Sequence, residues 1–260
     1  MLFWYPRGPS QPFFVTLRPL ELPTEPQEGF MSKTVQGLLT FLVSLVVPTV
    51  VLLIISVLPV WQGVFSPQTV AALPKVALIV GGSFGLLYGL EAGILCIYDL
   101  ETAAGWIELF IDLTWSLPNT MAGFVLGNII YIFFGSPSRT DSEGQAWISF
   151  QPRGSGGFGH SVLQTIGTVN LGGAGQHERM HLLQARVLGP GYIPLVIASY
   201  AVTFTLQVVW TLTLGGLLAL LGVRNKAYFE PPSHSAVGGF FGWIYYATPI
   251  ELFAYATGNP

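Results

Sequence analysis

The chain has 260 residues, 51% of them apolar and only 9% charged, with a formal net charge of −3 and a mean hydropathy of +0.59. A soluble domain carries roughly 25% charge, so this composition excludes a water-soluble globule and points to an integral membrane protein. Ten Lys+Arg against thirteen Asp+Glu leave no basic field for a phosphate backbone, which argues against nucleic acid as a partner, and the single cysteine, Cys96, excludes an internal disulfide or a cysteine zinc cage.

Residues 1–36 read as a Pro-rich N-terminal tail that has neither the apolar core nor the cleavage site of a signal peptide; Met31 offers an alternative start, with residues 1–30 extra to the native chain. Residues 37–135 read as a three-span membrane region. Its first span, 38–61, is uncharged and longer than the roughly 20 residues a bilayer core requires. The second, 75–98, carries Gly81, Gly82, Gly85, Gly89 and Gly93 for close helix contact. The third, 106–134, is divided at Pro118-Asn119. Its first part, with Glu108 and Asp112 between Trp106 and Trp115, reads as an interfacial helix with its carboxylates in the headgroup layer, and Asn119-Thr120 as the cap of the crossing part.

Residues 136–175 change character and read as a surface β-hairpin or loop, with strands at 146–150 and 161–169 around a Gly154–Gly157 turn. Residues 176–260 hold the remaining helices, including a span at 192–221 and a shorter one at 236–253. The expected fold is therefore a mainly α integral membrane protein with four or five transmembrane helices and a small β-hairpin before a polar helix. Five spans place five cations on each side, so the positive-inside rule leaves the orientation undetermined.

One constellation carries chemistry. His177-Glu178-Arg179-Met180-His181 puts two imidazoles one helical turn apart on the same face, where both can reach one ion. Glu178 stands beside them as a base for a metal-activated water, and zinc suits such donors. Gln184 extends the polar stripe, Leu182, Leu183, Val187 and Leu188 supply apolar contacts, and Gly189-Pro190 stops the helix. A third ligand is needed downstream, from among Glu230, His234 and Glu251. Glu251 is the most informative, because a carboxylate in the apolar run 249–255 is costly unless paired, protonated or metal-bound.

His177-Glu178-x-x-His181 with Gln184, Gly189-Pro190-x-Tyr192-x-Pro194 and Pro249-x-Glu251-x-x-Ala254-Tyr255 together resemble HExxH membrane proteins, a gluzincin-like, zinc metallopeptidase-like family. The resemblance spans residues 105–260. It implies zinc as cofactor, His177, His181 and Glu251 as ligands, Glu178 as general base, and peptides or proteins near the bilayer as substrates. Tyr255 departs from the pattern, which has an Asp there to orient a ligand histidine, so that role must come from another residue. His160 and Tyr255 are accessory candidates. Two rival readings are a non-enzymatic membrane protein with a structural or relic metal site and a small transporter built on Glu91, Glu108 and Asp112. The lipid bilayer is a partner in every case, and a bacterial chain would sit in the cytoplasmic membrane; substrate and oligomeric state are left open.

Overall fold

The structure, a computed structural model, describes residues 31–152, 165–171, 176–221 and 239–257. Helix α1 (Lys33–Ser56) starts at Ser32, whose hydroxyl accepts the Val35 N–H, and stops short of Trp61 because Pro59 opens a separate 3-10 turn. Helix α2 (Pro67–Leu95) begins well before residue 75, since Ser66 caps it and Pro67 takes the first position, where a missing N–H costs nothing. It ends at Cys96, which adopts the left-handed conformation at φ 51°.

The two helices pack antiparallel through backbone contact. Gly81, Gly85, Gly89 and Gly93 recur every four residues along α2. A Cβ added at Gly81 would stand 2.7 Å from Thr49 Cα, one at Gly93 2.6 Å from the Gly37 carbonyl oxygen, and one at Gly85 would overlap the Ser44 carbonyl. Small residues thus let dispersion act between backbones where lipid provides no hydrophobic drive.

The third expected span is two helices, α3 (Ala103–Leu113) and α4 (Leu117–Phe134). Asn119 and Thr120 do not cap α4. They lie inside its first turn, which Leu117 opens, and their side chains are used elsewhere: Thr120 Oγ1 donates to the Asp112 carbonyl at 2.8 Å. Nor does α4 carry the chain to the far end of the α1–α2 pair. Asp112, before it, meets Tyr98 at 2.9 Å, and Ala146, after it, donates to the Ile97 carbonyl at 2.7 Å.

Strands β1 (Gly135–Pro137), β2 (Ile148–Pro152), β3 (Thr165–Ile166) and β4 (Val169–Asn170) form one small sheet in the order β1-β2-β4-β3, with the short helix α5 (Arg139–Ser142) after β1. The expected hairpin is corrected in its pairing. β2 runs parallel to β4, and the hairpin joins β3 to β4 through Gly167 (φ 54°) and Thr168, because the left-handed glycine breaks what reads as one strand. The expected turn at 154–157 lies outside the described residues. Gly127 admits the sheet onto α4: a Cβ there would stand 2.6 Å from Val169 Cγ1. Tyr88, Leu109, Leu113, Ile148, Phe150 and Val169 form the core between α2, α3, α4 and the sheet.

Helix α6 (Gln176–Leu188) ends at Gly189 (φ 53°), and α7 (Tyr192–Leu212) follows one 3-10 turn later. The fourth expected span stops at Leu212, and a break at Thr213 leads into α8 (Leu214–Leu220). The fifth is broken as well. Its described part is α9 (Gly239–Ala247) and α10 (Pro249–Thr257), parted at Thr248 because a residue before proline is pushed out of the helical region. Among the described residues three helical segments are long and apolar enough to cross a bilayer, Lys33–Ser56, Pro67–Leu95 and Gln176–Leu212, which is consistent with an integral membrane protein.

Gly85→Leu is expected to destabilise the fold by about 1–3 kcal/mol through overpacking, read as a lower thermal midpoint in detergent. Gly82→Leu serves as the control, because an added Cβ there meets nothing within 4 Å.

Candidate metal centre

Helix α6 is fixed at its C-terminal end, where its last carbonyls lack intrahelical partners. The α3–α4 junction provides the donors. Ser116 Oγ reaches the Ala185 carbonyl at 3.0 Å, and Asn119 Nδ2 reaches the Ala185 and Gly189 carbonyls at 3.1 and 2.7 Å. Arg186 makes a two-pronged contact with Asp112, at 2.9 and 2.7 Å, and a third with Glu108 at 2.9 Å. Asp112 is fully buried and also accepts the Tyr98 hydroxyl, which in turn meets Tyr88 at 2.8 Å. The interfacial reading of Glu108 and Asp112 is thereby corrected, since both carboxylates clamp an arginine on the histidine helix. Burial pushes the Asp112 carboxyl up from its ordinary range, while Arg186 and then Tyr98 pull it back down.

With the helix fixed, the His177 and His181 Nε2 atoms lie 3.1 Å apart. Helix α10 packs on α6 and α7 and brings Glu251 to them, with Oε2 at 3.3 Å from His177 Nε2 and 3.2 Å from His181 Nε2. The three ligand atoms form a triangle of nearly equal edges. Zinc bound tetrahedrally at about 2.0–2.2 Å would have ligand–ligand edges of about 3.3–3.5 Å, so the triangle needs almost no adjustment.

Proton positions point the same way. Gln184 Nε2 donates to the Ile250 carbonyl at 3.0 Å, which leaves Gln184 Oε1 to accept from His181 Nδ1 at 3.0 Å. Gln184 thus holds a proton on His181 Nδ1, which leaves Nε2 as the nitrogen turned toward Glu251. Tyr200, on α7, donates its hydroxyl to Glu251 Oε1 at 2.9 Å, while Oε2 is buried and receives no hydrogen bond. Two imidazole nitrogens and a carboxylate oxygen converging in a buried space is an arrangement that can take up a cation. His177, His181 and Glu251 can hold a metal ion.

Glu178, almost wholly buried, accepts the Thr165 hydroxyl from β3 at 2.6 Å. Beside Glu178, His181 and Glu251 opens a cavity of about 280 Å³ with mainly apolar walls, Leu126, Ile166, Ile193 and Val196 among them. Tyr255 lies with its ring centroid 4.2 Å from that of His177, so it packs on a ligand imidazole rather than replacing an orienting carboxylate. Arg179 leaves the site, lying over Trp147 and bonding Gln145. Leu182 is buried as expected, but Leu183 and Val187 are exposed. His160, Glu230 and His234 lie outside the described residues. Glu91 is remote from this group and accepts from Asn128 at 3.1 Å.

The sequence reading did not single out Tyr200, Thr165, Asn119 or Arg186 as site residues. Of these, Arg186 alone carried a signal, as a cation within a helix of otherwise apolar last turns.

Zinc content of detergent-purified protein is expected at about one per chain and lost in His181→Ala and Glu251→Ala. Tyr200→Phe and Gln184→Leu are expected to retain the fold and weaken zinc affinity by about 10–100-fold, measured by competition with a chromogenic chelator.

No protein family, curated protein or solved structure matches this chain.

Proposed function

We propose that the chain is a membrane-bound, zinc-dependent metallopeptidase-like protein that hydrolyses peptide bonds near the bilayer. The observation that carries this reading is the convergence of His177, His181 and Glu251, with ligand atoms within 4.8 Å of one another, beside a buried Glu178. Zinc, when bound, supplies Lewis-acid polarisation of a carbonyl group and of water. The protein's own groups do the rest. Thr165 holds Glu178 by Oε2, and Glu178 takes a proton from water at Oε1 and returns it to the leaving amine. Gln184 and Tyr200 keep His181 and Glu251 in their ligating orientations. The apolar cavity seats a substrate side chain and keeps bulk water away.

A structural metal site without catalysis is the second reading, favoured by the Tyr255 ring lying over His177. Glu178→Gln separates the two. Under the first reading it keeps its zinc and loses cleavage of apolar peptides by about 100-fold or more; a variant that cleaves as well as wild type sinks the catalytic role.

In the membrane, α1, α2 and α7 cross, and α9 and α10 pack beside α7 at the metal centre. Lys33, Arg139, Arg179 and Arg186 then share one end of the molecule with the centre, against Lys75 at the other among the described residues. Among the described residues that imbalance favours a cytoplasmic metal centre by the positive-inside rule. A cysteine introduced at exposed Val187, in a Cys96→Ala background, should resist a membrane-impermeant maleimide in intact cells and react after permeabilisation. Labelling in intact cells would reverse the orientation.

A further inference from the structure

A second concave site lies apart from the metal centre, at the end of the α1–α2 pair. Gly37 and Gly93 meet there backbone to backbone, 2.6 Å from a hypothetical Cβ on Gly93 to the Gly37 carbonyl oxygen, with neither residue projecting a side chain into the gap. The result is a groove of about 450 Å³. Its walls are apolar: Leu38 and Phe41 from α1, Leu90 and Ile94 from α2, with Leu38, Leu90 and Ile94 exposed to the surroundings of two membrane-crossing helices.

Its mouth is cationic. Lys33 opens the long apolar run of α1 and so stands at headgroup depth, and Arg139 reaches the same groove from α5. Both side chains are about half exposed, at 48% and 55%, and both lean on one carboxylate, Glu143, at 3.4 and 3.5 Å. Two cations against one carboxylate leave a single positive charge at the top of an apolar slot. A phosphodiester with an attached acyl chain matches that arrangement in both charge and polarity.

We propose that this groove binds one anionic phospholipid, its phosphate between Lys33 and Arg139 and an acyl chain along Leu38, Phe41, Leu90 and Ile94. The lipid braces the α1–α2 crossing where Gly37 and Gly93 carry no side chains to interlock. The site is independent of the metal centre and stands whether or not the chain is an enzyme.

Native mass spectrometry of the full chain in mild detergent, titrated with phosphatidylglycerol or phosphatidylcholine, tests it. Wild type is expected to retain phosphatidylglycerol about fivefold or more over phosphatidylcholine. The double variant Lys33→Gln, Arg139→Gln drops retention to the phosphatidylcholine level, a loss of about fivefold. Glu143→Gln, which removes the competing carboxylate, raises it. Leu90→Trp, which fills the slot from its exposed rim, lowers retention of both lipids. Equal retention of the two lipids by wild type, or a double variant that holds phosphatidylglycerol as wild type does, overturns the proposal. Displacement of the lipid by millimolar inorganic phosphate overturns its acyl-chain half.

Discussion

The contact between Arg186 and the Asp112–Glu108 pair governs where the histidine helix sits. Helix α6 is short and polar compared with its neighbours, and Leu182 and Ala185 are its only buried apolar side chains among the described residues. Arg186 enters a pocket in which Asp112 is fully buried, and Ser116 and Asn119 take the helix's last carbonyls. A buried ion pair of this kind adds little net stability, since desolvation offsets most of the attraction. Removing one partner is another matter, at about 3–5 kcal/mol, because a buried charge is left uncompensated. Its contribution is therefore specificity: α6 has one register in which Arg186 meets both Asp112 and Glu108. That register sets the direction in which His177 and His181 face.

The three ligand atoms are oriented by different parts of the chain. Gln184 fixes His181 from within α6 and ties itself to α10 through the Ile250 carbonyl. Tyr200 fixes Glu251 from α7. An amide and a phenol thus do the orienting, with no further carboxylate at position 255, and this has an electrostatic consequence. A further carboxylate in a low-dielectric site would add a second uncompensated charge when no cation is bound, whereas Gln184 and Tyr200 orient by neutral hydrogen bonds.

How much of this could be read from the residues follows from the range of each interaction. The HERMH helix was legible because its two histidines are one turn apart, a relation that lies wholly within the sequence. Glu251 was legible for a different reason: a carboxylate in an apolar run is an anomaly that calls for a partner. Arg186 and Asp112 are 74 positions apart, and each alone reads as a charge at the interface, so the pair was invisible. Tyr200 had no signal, since a tyrosine in an apolar helix is ordinary. The β3–β4 hairpin was missed although Gly167 was in plain view, because the Thr165-Ile166 and Thr168-Val169 pairs beside it are all strand-favouring residues. The course of α4 is a matter of tertiary packing: its composition fits a crossing, but both flanks return to the segment after α2.

The break in the last apolar segment shows how a local rule can serve the site. Read by composition, residues 236–253 are one span, and a continuous helix would leave Glu251 in its interior, where each backbone N–H is already used. Pro249 prevents that. It parts α9 from α10 at Thr248 and makes Glu251 a first-turn residue of a new helix, where free N–H groups and the helix dipole favour a negative charge. The two histidines and the Tyr200 hydroxyl then meet a carboxylate held at a helix start. The proline two residues before the ligand is thus part of the same arrangement as the ligand itself.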